Sequence, residues 1–134
     1  MVVVDASAIA ALLLNRPSAE SLRERLLPEL TLHTPHLLDL EVASVLRRAL
    51  RRGFLTEAEA ALHLADFEKL RLIRYPHLSF LSRIWELRAN VTTYDAAYLA
   101  LAEALAAPLI TTDGRLSRVP ELRATVEVYG DRAT

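Results

Sequence analysis

Short apolar runs, each too brief for a helix, alternate along this chain with segments of helical periodicity. That alternation constrains the fold more than any other feature. Val2 to Val4 is a β-branched run stopped by Asp5, which reads as a buried strand. Leu30 to Thr34, Leu72 to Tyr75 and Pro108 to Thr112 read as further strands, and Thr125 to Tyr129 as a last one at the edge. The order β-α-α-β-α-α-β-α-α-β-β predicts a mainly parallel sheet of four to five strands with helices on both faces, an α/β/α sandwich of three layers. No repeat, low-complexity stretch or linker interrupts the 134 residues, so one domain over 1–134 is expected.

The helices carry their own start and stop signals. Ala6 to Leu14 is helix-prone and is broken by Asn15-Arg16-Pro17. Ser18 is placed to cap a helix from Ala19 to Leu27. Thr34-Pro35 predicts another start, with Thr as cap and Pro at a position whose N–H has no partner. That helix should run to Gly53, with Arg51 and Arg52 favourably placed near its C-terminal dipole. Thr56 and Glu59 form a capping-box pattern opening a helix to about Leu70. Leu78 to Arg88 and Tyr94 to Ala106 complete the set, and core packing is the expected role of Phe80 and Trp85.

Composition narrows the function classes. With no cysteine there is no disulfide framework, thiolate metal site or Cys nucleophile. The start of the sequence lacks the pattern of a signal peptide, and no apolar run approaches membrane-span length, so a cytoplasmic protein without a membrane partner is expected. The net charge of −1 does not announce a nucleic-acid binder. Fifteen of the sixteen basic side chains are nevertheless arginine, whose planar fork suits phosphate. Arg47, Arg48, Arg51 and Arg52 crowd together and can bind phosphate or simply be solvated helix-end charges.

Ligands of open parallel α/β sheets bind beyond the carboxyl ends of the strands. Asp5 and Asp113 both stand at such ends. Asp5 can equally cap the helix after it, and Asp113-Gly114 can be turn chemistry. Asp95 opens a helix that is otherwise nearly all apolar, so it faces inward or a cleft, or it belongs to a Thr92–Asp95 cap. On a wheel of 100° per residue, Glu41 falls at the border of the polar face while Asp39 lies deeper among Ala43, Leu46 and Leu50. Periodicity does not choose between those two acids.

The segments VVVDASA, PHLLDLEVASVLRRALRRG and TTYDAAYLALAEALAAPLITTDGRL, in this order and spacing, resemble the PIN-domain family, and within it the VapC toxins of toxin–antitoxin pairs. The likeness runs from Val2 to about Arg118. It implies a PIN-like fold and selects Asp5, Glu41, Asp95 and Asp113 as the acidic site, with Ser7 and Thr111 as supporting hydroxyls. It also implies an RNA substrate, an antitoxin partner and a homodimer. Given an RNA substrate, the arginine cluster of Arg47, Arg48 and Arg51 is a candidate for its backbone, beside the reading as solvated charges. Four carboxylates without a neighbouring Lys or Cys are hard oxygen ligands that suit Mg²⁺ or Mn²⁺. His33, His36, His63 and His77 lack zinc-type spacing. The expectation is therefore a metal-dependent ribonuclease in which Asp5 and Asp95 bind the ion directly. Two other classes stand beside it. A phosphatase or phosphotransferase with Asp5 as nucleophile is disfavoured because Ser7 replaces the second Asp of an Asp-x-Asp pair; a receiver domain would need an acidic pair near Asp5 and a lysine after a late strand, and the only lysine, Lys69, lies in a helical segment. A non-catalytic PIN-like binding module would not need all four acids.

Overall fold

A computed structural model describes residues 1–130 of the chain. Five strands, β1 (Val3–Val4), β2 (Leu32–Pro35), β3 (Leu72–Tyr75), β4 (Leu109–Thr111) and β5 (Val126–Val128), form one sheet in the order β3-β2-β1-β4-β5. Every pairing is parallel. The strand made from the first valines is therefore central, with Val3 opposite both His33 and Leu109. Val2, Val3 and Val4 have no exposed surface, which stabilises the fold by about 1.5–3 kcal/mol for each side chain. A strand buried on both faces reads as a continuous apolar run rather than an alternating one.

Helices α1 (Ala6–Leu13), α2 (Ala19–Leu26), α3 (Leu37–Arg51) and α4 (Glu57–Glu68) pack on one another, and α1 and α3 also touch the sheet. Helix α6 (Thr93–Leu105) lies against β1, β2 and β4 with α5 (Leu81–Glu86) packed onto it. Residues Ala96 to Ala102 of α6 are all buried, as its nearly uniform apolar composition requires. Thr56 and Glu59 make both bonds of the capping box. Gly53, at φ +76°, ends α3: its N–H bonds the Leu50 carbonyl and the next N–H, of Phe54, reaches back to Ala49, the Schellman closure that favours glycine. No helix is long and apolar enough to cross a membrane among the described residues.

Three local expectations are corrected. Thr34 does not cap α3. It is fully buried in β2, its hydroxyl donates to the Val4 carbonyl at 3.1 Å, and Pro35 still pairs with Tyr75, so the strand continues where a helix start was expected. Ser18 takes helical angles (φ −75°, ψ −8°) and makes no side-chain capping bond to α2. The segment from Leu78 begins as a 3₁₀ turn, Leu78–Phe80, before α5. That phase buries Ile84 and Leu87 and turns Trp85 outward at 61% exposure, so Trp85 is not a core residue, while Phe80 does pack against the core.

Candidate active site

Asp5 follows β1 and begins α1 in one stroke. Its Oδ1 accepts the Ala8 N–H at 3.0 Å, which caps the helix, and the Ser7 hydroxyl at 2.6 Å. Its Oδ2 accepts the hydroxyl of Thr111, the last residue of β4. Thr111 Oγ1 in turn accepts the Asp113 N–H at 3.0 Å, and Ser7 Oγ accepts the Thr112 N–H at 2.9 Å. Two neighbouring parallel strands are thereby stitched together at their carboxyl ends by one carboxylate and two hydroxyls. Asp5 is both the cap and a cleft residue, so the two readings of its sequence context coexist. Burial pushes its carboxyl up to about 6 against the pull of the Ser7, Thr111 and Ala8 bonds, with the Asp95 charge adding to the rise.

The structure separates the two acids of α3 that the helical wheel left level. The buried stripe is Leu38, Val42 and Leu46, so Asp39, its side chain 42% exposed, does not lie deep in the apolar face where the wheel put it. Asp39 faces Arg74 of β3 and forms an ion pair at 2.9 Å. Glu41 faces α6 instead and accepts a hydrogen bond from the Tyr98 hydroxyl. Burial raises the Glu41 carboxyl, and the Asp95 charge adds to that, while Tyr98 and Arg48 oppose it. Tyr98 is 1% exposed. Its phenol is raised by burial and by the Glu41 carboxylate it serves.

Asp95 sits in the first turn of α6. Its N–H is taken by the Thr92 hydroxyl at 3.1 Å, so the Thr92 cap exists and uses the backbone of Asp95. The side chain lines the cleft. Burial and the Asp113 charge raise its carboxyl, with Thr92 and Arg115 acting the other way. Asp113, just beyond β4, is the exception among the four. Arg115 grips both its oxygens, Nη2 to Oδ2 at 2.6 Å and Nε to Oδ1 at 3.0 Å, and holds its carboxyl below the ordinary range.

Asp5, Glu41, Asp95 and Asp113 all line one cleft of about 590 Å³, with Ser7, Ser44, Tyr98, Arg16 and Arg48 around them. The cleft opens at the carboxyl ends of β1 and β4, where a parallel sheet presents ligands. The four acids come from the ends of two strands and from two helices, so their meeting is a product of the tertiary fold.

The chain matches the PIN domain family model over residues 2–122. The chain belongs to the PIN-domain family. Ribonuclease VapC9 of Mycobacterium tuberculosis is 44% identical over 128 residues, covering 96% of this chain and 98% of that protein. Among solved structures, PAE2754 from Pyrobaculum aerophilum aligns at a TM-score of 0.66 and 27% identity, over 94% of this chain and 82% of that one. VapBC2 from Rickettsia felis, solved with a DNA fragment from their promoter, aligns at a TM-score of 0.71 over 96% of this chain and 98% of that one. At 17% identity that likeness speaks to the fold alone.

Within this PIN domain only one of the three expected RNA-contacting arginines reaches the cleft. Arg48 lies seven residues after Glu41, two helical turns along the same face, and lines the cavity. Arg47 and Arg51 are exposed on α3 and stand outside its lining. Sequence reasoning missed Tyr98, Arg16 and Arg115. Tyr98 carried a signal, standing three residues after Asp95 on a helix otherwise without polar side chains in its middle. Arg16 carried none, since it reads as part of a helix-breaking loop.

The donor set of the PIN domain fits a hard divalent cation, because three of its four carboxylates are raised by burial and by one another. Such a cluster gains most from an ion that neutralises it. Among the described residues, no group of three or more His, Asp or Glu side chains stands ready to hold an ion as placed. Both Asp113 oxygens are engaged by Arg115, and both Asp5 oxygens by hydroxyls and an N–H.

Proposed function

We propose that this PIN domain is a divalent-metal-dependent ribonuclease, the toxin of a toxin–antitoxin pair, acting in the cytoplasm through Asp5, Glu41, Asp95 and Asp113. The observation that carries the reading is the convergence of those four acids, from four separate elements, on one cleft at the carboxyl ends of β1 and β4. The 44% identity to a VapC ribonuclease across almost the whole of both chains supports the substrate class.

Asp5 and Asp95 would hold Mg²⁺ or Mn²⁺ directly, with Glu41 and Asp113 completing its surroundings. When bound, such an ion supplies Lewis-acid polarisation of the phosphoryl group and a more acidic water. The chain's own residues do the rest. Ser7, Thr111 and the Ala8 N–H fix the rotamer of Asp5. Tyr98 fixes one oxygen of Glu41 from inside the core, leaving that carboxylate oriented to take a proton from the attacking water. Arg16 and Arg48, in the lining of the cleft, are placed to bind phosphate oxygens. Hydrolysis forms a bond from the water oxygen to phosphorus and breaks the bond to the 3′ oxygen, which takes a proton from solvent, leaving a 5′-phosphate and a 3′-hydroxyl.

Partners follow from uncovered apolar surface. Leu27, at the end of α2, and Phe54 and Leu62, before and within α4, stand at 85, 75 and 65% exposure, apolar side chains of the kind an antitoxin segment covers. Leu40, Leu81 and Tyr94 line an apolar groove beside the acid cleft, suited to a second copy of the chain. The deciding experiment incubates the purified protein with structured RNAs in Mg²⁺, Mn²⁺ or EDTA. Cleavage that requires the ion and yields 5′-phosphate ends is expected. Cleavage that persists in EDTA, or ends in a 2′,3′-cyclic phosphate, overturns the mechanism.

A further inference from the structure

A second opening lies beyond Asp95 from the acid cleft. Arg88, Asn90, Thr92, Asp95, Arg115 and Leu116 line it, it encloses about 470 Å³, and Asp95 is the residue it shares with the main cleft. Its two cations are held rather than loose. The Arg88 guanidinium lies 4.4 Å from the centre of the exposed Trp85 ring and donates Nη1 to the Trp85 carbonyl at 2.8 Å. Arg115 is aligned by Asp113 through Nε and Nη2, which leaves Nη1 as its donor for another anion. Its side chain is 76% exposed.

Electrostatics makes this placement informative. A cleft floored by four acids repels a polyanion unless cations flank it, because phosphate contacts by arginine supply most of the attraction in nucleic-acid binding. Arg16 and Arg48 provide those cations in the lining of the acid cleft itself. Arg88 and Arg115 provide them in the adjoining opening, which meets the cleft at Asp95. A guanidinium stacked on an indole and a second one aligned by a carboxylate lose little freedom on binding, and both present planar forks that match phosphate oxygens.

We propose that this opening is a second nucleotide subsite, in which Arg88 and Arg115 bind the phosphate adjoining the one that is cut. The RNA strand then runs from Arg16 and Arg48, over the four acids, into the opening beside Asn90 and Thr92. This rests on the ribonuclease reading and adds to it the course of the strand and the residues that measure its length.

The test separates binding from chemistry and the subsite from the reading beneath it. Fluorescein-labelled single-stranded RNA is titrated in Mg²⁺ with the Asp5→Asn protein, alone and combined with Arg88→Ala, Arg115→Ala or Arg71→Ala, and followed by anisotropy at several salt concentrations. Arg71 precedes β3 at the opposite end of the sheet and serves as the comparison. Loss of either subsite arginine should weaken binding about fivefold and make the slope of log K against log salt shallower by about 0.7, while Arg71→Ala changes neither. In the catalytically intact background, the ratio of KM for the longer RNA to KM for a dinucleotide with a single phosphate should rise about fivefold in Arg88→Ala. If Arg115 merely neutralises Asp113, its loss changes kcat for both substrates alike and leaves the KM ratio unmoved, which overturns the subsite. Unchanged affinity and salt slope in the arginine variants overturn it as well, while wild-type cleavage of RNA would leave the ribonuclease reading standing. A wild-type protein that neither binds nor cleaves RNA overturns both.

Discussion

Asp5→Asn in metal-free buffer tests whether the site is built at the expense of the fold. The Asp5 carboxyl is pushed from 3.8 to about 6, so keeping it ionised in the folded protein costs about 3 kcal/mol at 1.36 kcal/mol per pH unit. The folded state binds the proton more tightly than the unfolded chain, so between about pH 4 and pH 6 the wild type loses this stability as pH rises, and above pH 6 the full cost is present. Asparagine removes the charge, and the surroundings can accept it. Thr111 Oγ1 would take the new amide donor together with the Asp113 N–H and turn its own hydroxyl hydrogen to Ser7 Oγ, 3.2 Å away. Ser7 and the Ala8 N–H would still bond the remaining carbonyl oxygen. Asp5→Asn should therefore raise the melting temperature in EDTA near pH 7.5 by about 10 °C, and that gain should vanish near pH 4. Saturating Mn²⁺ should narrow the gap, since an ion that binds only the wild-type native state adds about 3 kcal/mol at a hundredfold excess over its Kd. Asp5→Ala strips an acceptor from Ser7, Ala8 and Thr111 at once and should destabilise at every pH. Scanning calorimetry of the three proteins decides it. A lower melting temperature for Asp5→Asn at pH 7.5 in EDTA would show that the ionised carboxylate holds the fold together, and the argument from charge would fail.

Asp95→Asn keeps the Thr92 cap, which uses the backbone N–H, so the metal-free melting temperature should hold or rise while RNA cleavage is lost; a fall of several degrees with activity retained would make Asp95 a structural cap. Tyr98→Phe should weaken Mn²⁺ binding, read by calorimetric titration, or turnover by about 10–100-fold with the fold intact, because the ring still fills its buried place. Arg83 ties α5 to α6 through Glu103 at 2.7 Å and also reaches the Glu121 carbonyl. Arg83→Met should cost about 2–3 kcal/mol in urea unfolding at pH 7. The bond to Arg83 helps hold the Glu103 carboxyl below its ordinary value, so that contribution should fade as acid protonates it, and an Arg83→Met penalty that persists unchanged at pH 3 would contradict the pairing.

Elements set by local periodicity were legible in the sequence. β3 spans Leu72–Tyr75 as read, and the capping box of α4 forms at Thr56 and Glu59. Misreadings fell where two local signals competed and a long-range contact decided between them. Thr34-Pro35 carries helix-start chemistry, yet the Val4 carbonyl claims the Thr34 hydroxyl and Tyr75 claims Pro35 as a strand partner. Trp85 shares the Leu78–Arg88 segment with Leu81, Ile84 and Leu87, which points it to the core, but the phase of α5 gives the core to Ile84 and Leu87.

The acid site shows the same division in a sharper form. Strand ends made Asp5 and Asp113 candidates, and the apolar run after Asp95 made it a third, but each also fitted a cap or a turn, and only the family resemblance selected them. Glu41 and Asp39 could not be told apart from one helix, since an amphipathic wheel reports which face is buried and is silent about what each border of that face meets. The distinguishing residues are Arg74, more than thirty positions after Asp39 at |i−j| 35, and Tyr98, at |i−j| 57 from Glu41. Arg74 lies on the edge strand β3 and neutralises Asp39 away from the cleft. Tyr98 comes up through the core and gives Glu41 a neutral donor, which orients the carboxylate without cancelling its charge. A carboxylate matched by a cation is already satisfied and has little to offer an incoming ion. One matched only by a hydroxyl keeps its full charge toward the cleft. By that criterion Asp5, Glu41 and Asp95 keep charge for the cleft, while Asp39 and Asp113 are already matched by Arg74 and Arg115.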